Sequence, residues 1–331
     1  MPSGVRTLPG RDDEHSALRA TGVRLPWMSG FWSHLHGRPR WALTLIELLM
    51  VVTIIGLLMA LLLPAIQRVR EAMNRIRCGS NLHQIGIALM NYHNDFGRLP
   101  PGYLYAYSPQ GNALGHGWAA HLLPYVEQDA LHRQIHWESP IWDPANAAAR
   151  TRHLRIYLCP SDGRSANQFV QMGSEQYAMA CYVASFGPSD MDDNPEDDRG
   201  VFFRNSKIRI EDVHDGTSNT LFVGERINGP FLTQHSHGVH VNYETTWIGA
   251  VREITDPEDD HAHMVLFQTG HLPNAPDSDD RDVVAPHPQG AQFLFGDGSV
   301  HFLRQTISLG VYQALSTRAA GETIDLTQVI Q

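Results

Sequence analysis

The chain of 331 residues carries 35 Asp and Glu against 25 Lys and Arg, a formal charge of −10, and 42% of it is hydrophobic. Basic residues this few and this scattered outline no groove for a phosphate backbone, so nucleic acid is not an expected partner. The length admits one large domain or two small ones, and the three cysteines, Cys78, Cys159 and Cys181, form neither a CxxC pair nor a zinc-finger spacing.

Residues 1–41, typified by GVRTLPGRDDEHS, show no helical or strand periodicity and predict no packed structure; Met28 is an alternative start. The run from Leu43 to Ile66, LTLIELLMVVTIIGLLMALLLPAI, has Glu47 as its only ionisable side chain. As a helix it rises roughly 36 Å at about 1.5 Å per residue, enough to cross a hydrocarbon core of about 30 Å. A buried core helix is the alternative, but such helices rarely run so long without a polar face. Small and basic residues precede the run and no A-x-A-like site follows a short apolar stretch, so ordinary signal-peptide cleavage is not expected.

The residues ALTLIELLMVVTIIGLLMALLLPAI resemble the type IV prepilin cleavage and methylation segment. The resemblance implies a cut by a prepilin peptidase between Ala42 and Leu43 and methylation of the new N-terminus. Glu47 then becomes the fifth mature residue, Gly56 the fourteenth and Pro64 the twenty-second, each of the residue type that family carries there. An acid at the centre of a membrane helix costs roughly 2.5–3.5 kcal/mol and needs a partner. The resemblance supplies one, the N-terminal amine of a neighbouring subunit; a Glu that snorkels to the interface is the plainer alternative. Two positions depart from the pattern, with Ala42 where Gly is usual and Leu43 where Phe is usual. Arg38 and Arg40 precede the span while Arg68, Arg70, Arg75 and Arg77 follow it, so counting positive charges does not orient it. The resemblance implies a leader in the cytoplasm, a single pass through the inner membrane and an extracytoplasmic head.

Beyond Pro64, expected to kink or loosen the helix, apolar residues recur at Ile66, Val69, Met73 and Ile76 and again at Leu82, Ile85, Leu89 and Tyr92. We read them as one stripe of a helix that packs on a globular body and stops at Gly97 and Pro100-Pro101. WAAHLLPYVEQDALH reads as helix, HLRIYLCP as a short buried strand, and KIRIEDVHDGTSNTLFVGE as two strands about an Asp215-Gly216 turn. AQFLFGDGSVHFL reads as a hairpin turning at Asp297-Gly298. The fold class is α+β, with a long N-terminal transmembrane and amphipathic helix on a β-rich head. The expected division is a leader at 1–42, a span at 43–66 and a head at 67–331, the whole pilin-like by resemblance.

A second resemblance covers the head. RCGSNLHQIGIALMNYHNDFGRLPPG, HGWAAHLLPYVEQDALH, LCPSD, DGTSNTLFVGE and HPQGAQFLFGDGSVHFL, in that order, are similar to one large bacterial family. It is named for a prepilin-type N-terminus and a processing-associated C-terminal motif, His followed after nine residues by Asp-Gly. Here the motif is His287, Asp297 and Gly298. That family has no settled biochemical function, so the resemblance implies address and architecture more than mechanism.

Nineteen histidines invite a metal reading. His235, His237 and His240 form one cluster, and His261 and His263 with Asp259 and Asp260 a second, but neither has a helical HExxH spacing, and solvated or structural histidines are the expectation. The acidic loop of Asp190, Asp192, Asp193, Asp197 and Asp198 offers oxygen ligands to calcium without the DxDxDG frame, so a hydrated surface loop is expected, with calcium as the only cofactor considered. His287 and Asp297 lack a nucleophile frame such as GxSxG, so they are read as turn and packing residues and no catalytic residue is assigned. Cys159 has Cys78 and Cys181 as candidate disulfide partners, Cys78 being preferred, and buried free thiols are the alternative.

The functional expectation is a non-enzymatic, membrane-anchored pilin-like or secretion-associated protein whose partners are the prepilin peptidase and other pilin-like subunits or secretion machinery. Its alternatives are a surface anchor whose head binds a glycan or calcium without forming a filament, and a metal-dependent hydrolase using the histidine clusters.

Overall fold

The computed structural model describes residues 44–105, 114–196, 199–232, 240–252, 260–322 and 324. The leader and the Ala42–Leu43 junction lie outside the described residues. The chain divides into two compact units, Met1–Ala60 and Leu61–Gln331.

Helix α1, Leu45–Phe96, runs for 52 residues and continues through Pro64. It opens on a capping box. The Glu47 amide donates to the Thr44 hydroxyl at 3.3 Å, and the Glu47 carboxylate accepts from the Thr44 amide at 2.9 Å and from its hydroxyl at 2.8 Å. Every side chain from Leu45 to Leu63 is exposed, and an 18-residue window of α1 has a mean hydropathy of 2.8, so this one helix is long and apolar enough to cross a membrane. At the far end Gly97 takes φ +68° and donates its amide to the His93 carbonyl, closing the helix with a left-handed residue.

The expected single apolar stripe is in fact two. Leu82, Ile85, Leu89 and Tyr92 are buried, whereas Ile66, Val69, Met73 and Ile76 are exposed. At about 100° per residue, the sixteen positions between corresponding members, Ile66 to Leu82 through Ile76 to Tyr92, put the second set about 160° around the helix from the first. The spacing repeats but the phase does not. The face that meets the head begins at Glu71, Arg75 and Cys78, two of them charged, and so it was invisible to a search for apolar periodicity.

The head of the second unit is built on a five-stranded sheet, and two hairpins stand apart from it. In chain order the strands are β1 (Phe169–Met172), β2 (Glu175–Ala178), β3 (Tyr182–Gly187), β4 (Leu221–Glu225), β5 (Gly229–Leu232), β6 (His240–Tyr243), β7 (Leu266–Gln268), β8 (Gly290–Phe295) and β9 (Val300–Arg304). β1 pairs with β2 and β5 with β6, while the main sheet runs β7-β3-β4-β8-β9. Only β3 and β7 are parallel in it.

Strands β3, β4 and β8 are buried along their whole length, so their alternation divides two cores rather than core from solvent. Tyr182, Ala184, Phe222 and Leu294 join Leu82, Ile85 and Leu89 of α1 on one side. Val183, Phe267, Phe293, Phe295 and Leu303 meet Tyr312 and Leu315 on the other. Each buried aliphatic or aromatic side chain contributes about 1.5–3 kcal/mol by leaving water, which makes the buried stretch of α1 a core element.

Two expected strands are absent. HLRIYLCP forms a 3-10 turn at Arg155–Tyr157, because the Tyr157 and Leu158 amides bond to the carbonyls of Leu154 and Arg155 instead of to a neighbouring strand. Ahead of Asp215, Arg209 and Asp212 cap a second 3-10 turn at Ile210–Asp212, so the local bond wins over sheet pairing; the strand expected after the turn is β4. WAAHLLPYVEQDALH does coil, in three short pieces, Trp118–His121, Leu123–Val126 and Asp129–His132, broken where Pro124 enters and Glu127 turns left-handed.

Many of the histidines are packing residues. His116, His121 and His132 surround the Trp137 ring with centroids 4.7, 5.0 and 4.9 Å away. Burial holds His116 down to about 4 and His121 to about 3, so both fold neutral. Their native values lie below the unfolded value of about 6.5, so the unfolded chain takes up protons that the native one refuses as pH falls. Stability is therefore full above about pH 6.5 and lost between about 6.5 and 4. The expected loss is about 3 kcal/mol for His116 alone, read as a falling denaturant midpoint that His116→Gln flattens.

Candidate functional site

The motif that ends the family resemblance occupies the hairpin β8–β9. His287 stands three residues ahead of β8, and Asp297 and Gly298 lie in the turn. Asp297 accepts bonds from the Ser299 amide at 2.9 Å and hydroxyl at 2.6 Å, and Gly298, not Asp297, takes the left-handed φ of +86°. His287 is 2% exposed while Asp297 is exposed, and β8 separates them; the two do not form an acid–base couple.

What joins the motif residues is α1. The His287 Nδ1 lies 2.6 Å from the Glu71 carboxylate. Further along, the Gln292 side chain donates to the Arg75 carbonyl and fills the space over Gly79, where a Cβ would stand 2.6 Å from its Oε1. Leu294 covers Gly86, and the Gly298 carbonyl lies 3.0 Å from the His83 Nδ1. From Glu71 to Gly86 the contacts run with the chain from His287 to Leu294, while the turn residue Gly298 meets His83, about one helical turn back.

At the His287 end lies a closed cluster. Cys78 of α1 and Cys159, 81 residues apart in sequence, form a disulfide with Cα atoms 5.4 Å apart. The His287 Nε2 is 3.7 Å from the Cys159 Sγ and 3.4 Å from the Glu225 Oε1 at the end of β4. Glu225 is 0% exposed; its Oε2 accepts from the Gln292 amide at 3.1 Å, while its Oε1 faces the His287 Nε2 and has no closer donor among the described residues. Glu71 is held in turn by the Ser161 hydroxyl at 2.8 Å. Burial opposes the imidazolium of His287, but the Glu225 and Glu71 carboxylates outweigh it and raise its pKa above the ordinary value. Arg75, stacked 3.5 Å over the Phe302 ring, interacts with both carboxylates and offsets their charge. Cys181 lies beside the cluster as a buried thiol that burial, followed by the charge of Asp162, pushes far up, which leaves it an unreactive neutral group.

The other candidates resolve into structural contacts. Asp260 belongs to a buried ion pair, 2.6 Å from Arg204, and accepts from the Tyr103 hydroxyl. His263 is half-buried and kept neutral by desolvation and then by Arg226, and His261 packs edge-on against it. Of the acidic loop, Asp190 and Asp192 hold the Arg281 guanidinium at 2.9 and 2.6 Å, and Asp279 joins it at 3.0 Å, so an internal cation occupies two of the carboxylates considered for calcium. His235, His237, Asp197, Asp198 and Asp259 lie outside the described residues, as does the side chain of His240.

Fold and site together define an α+β head that incorporates the end of a long apolar helix and pins it with a disulfide and a buried His–Glu network. Over residues 67–310 the chain matches the family described as a protein of unknown function (DUF1559), and it belongs to that family. No curated protein and no solved structure matches it.

Sequence reading named Cys78, Cys159 and His287 but missed Glu71 and Glu225. The signal for Glu225 was present: LFVGE is a wholly apolar strand ending in a charge, and a buried strand carries a charge only where something receives it.

Two outcomes follow. Gly86→Val drives a side chain into Leu294, whose Cδ1 is 2.8 Å from the added Cβ, and is expected to cost about 1–3 kcal/mol in denaturant unfolding. Reducing the disulfide frees a loop of 81 residues and is expected to cost about 4 kcal/mol in the same assay when divalent metal is absent.

Proposed function

We propose that the protein is a membrane-anchored, pilin-like structural subunit or secretion accessory. In this reading a prepilin peptidase cuts between Ala42 and Leu43, Leu43 becomes the methylated N-terminus, and the segment 43–66 crosses the inner membrane once with the head outside. The partners are other pilin-like chains or the secretion machinery.

One observation carries the assembly role. The apolar face of α1 does not stop at the end of the span: Ile66, Val69, Met73 and Ile76 stay exposed, on a side of the helix turned about 160° from the one the head covers. A helix that feeds one face to its own head and keeps a second apolar face open is suited to packing beside another helix. The disulfide supports an extracytoplasmic head, since such bonds persist in oxidising compartments. Glu47 has a local partner in Thr44, which satisfies the helix start; in an assembly, the same carboxylate would exchange that bond for a neighbour's N-terminal amine. A calcium-binding surface anchor gains no support from Asp190 and Asp192, which already hold the Arg281 guanidinium.

Mass spectrometry of the membrane-extracted chain is expected to give an N-methylated Leu43 as the first residue, and Glu47→Ala is expected to abolish crosslinked multimers while the chain stays in the membrane. An intact leader in cells with active peptidase removes the processing reading. Multimers that survive Glu47→Ala count against the Glu47-dependent pilin-like assembly and favour the surface-anchor reading.

A further inference from the structure

The cluster around the motif histidine offers four ligand types that together suit a borderline-soft cation. We propose that in its dithiol form the head binds one zinc ion through Cys78, Cys159, Glu225 and His287, so that these residues form a thiol-gated metal site. The site is separate from the assembly role and does not depend on it.

One ligand atom from each residue, the two Sγ atoms, a Glu225 oxygen and a His287 nitrogen, lies within 4.8 Å of every other, and all four residues are buried. A zinc tetrahedron with bonds of about 2.3 Å to sulfur and 2.0–2.1 Å to nitrogen or oxygen has edges of about 3.3–3.8 Å, so once their bond is broken the two sulfurs move apart, while the Glu225 and His287 atoms draw in by about an ångström at most. Two features point to a cation rather than to packing alone. The Glu225 Oε1 is fully buried, faces the cluster and, among the described residues, is met only by the His287 Nε2 at 3.4 Å, too far for a good hydrogen bond, an arrangement that is costly for a carboxylate unless a cation answers it closely. The supporting contacts also aim the ligands. Glu71 takes the Nδ1 of His287 at 2.6 Å, which turns Nε2 toward the sulfurs, and the Gln292 amide holds the Glu225 Oε2 so that Oε1 points inward. A carboxylate behind a ligating histidine fixes its tautomer and raises its basicity.

The chemistry balances. Another dithiol, acting by thiol–disulfide exchange, delivers two electrons and two protons, breaks the Sγ–Sγ bond, leaves Cys78 and Cys159 as thiols and is itself oxidised to a disulfide. Zinc then displaces the two thiol protons to solvent. Two thiolates and one carboxylate against Zn²⁺ leave one negative charge, and Arg75, which interacts with Glu225 and Glu71, lies close enough to balance the surroundings. A sulfur pair bonded to itself has no thiolate to give, so disulfide and zinc exclude one another. Glu71, 36% exposed, marks the side from which an ion reaches the cluster.

The test uses the full chain in detergent micelles, reduced with dithiothreitol, desalted under argon and titrated with Zn²⁺ against a chromophoric chelator, and with Co²⁺ for its thiolate charge-transfer band. The dithiol chain is expected to bind about one zinc and to show the cobalt band. The oxidised chain is expected to bind at least about tenfold less, and Glu71→Gln to weaken binding about tenfold. His287→Ala and Glu225→Gln should weaken it at least as much, and Cys181→Ser should leave it unchanged. Circular dichroism checks that each variant folds; where one does not, the wild-type comparison of dithiol and disulfide decides. The proposal is overturned if the dithiol chain takes up no zinc, if the disulfide chain takes up as much, or if folded His287→Ala binds as tightly as wild type.

Discussion

The contact between α1 and strand β8 is the constraint on which the head depends. It sets two things at once: where the helix stops being free and which of its faces becomes core. Side chains of the strand enter hollows on the helix surface, and that fit selects one register between them. His287 against Glu71, Gln292 against Arg75 and Gly79, and Gly298 against His83 are three points of that register. The disulfide at Cys78 adds a covalent pin at one end. Small residues matter for the same reason: at Gly79 and Gly86 the helix surface is hollow where side chains of β8 enter.

The polar groups of this seam show how a buried charge is tolerated. Glu225 and Glu71 flank His287, with Arg75 near both, so the local charges nearly cancel. Elsewhere the head uses the same device with other residues. Arg204 is paired with Asp260, and Arg226 is wholly buried, with its guanidinium bonded to Thr245 and to the backbone carbonyls of His263, Leu266 and Asp280. These networks sit where irregular segments meet the sheet. Side chains there do the work that backbone pairing does within it.

Pattern reading succeeded wherever the signal was local. The apolar run, the Gly97 and Pro100 stop, the β8–β9 hairpin and the strand LFVGE are all set by neighbouring residues. It failed at HLRIYLCP and KIRIEDV, whose alternation is strand-like but whose amides and carbonyls are taken by turns and by partners distant in sequence. It also merged two helical stripes into one, since a spacing of three and four reports a helix without reporting its phase.

What the sequence by itself determined is the long apolar helix, the α+β class and the identity of the motif residues, because periodicity, composition and turn chemistry act over a few residues at a time. What only the tertiary structure decided is who meets whom. Cys78 and Cys159 are 81 positions apart and Cys159 and His287 a further 128, and Glu71 and Glu225 sit in segments that gave no hint of each other. A sheet buried on both faces brings such residues into one small volume, and that convergence depends on strand order and register, which no local pattern encodes.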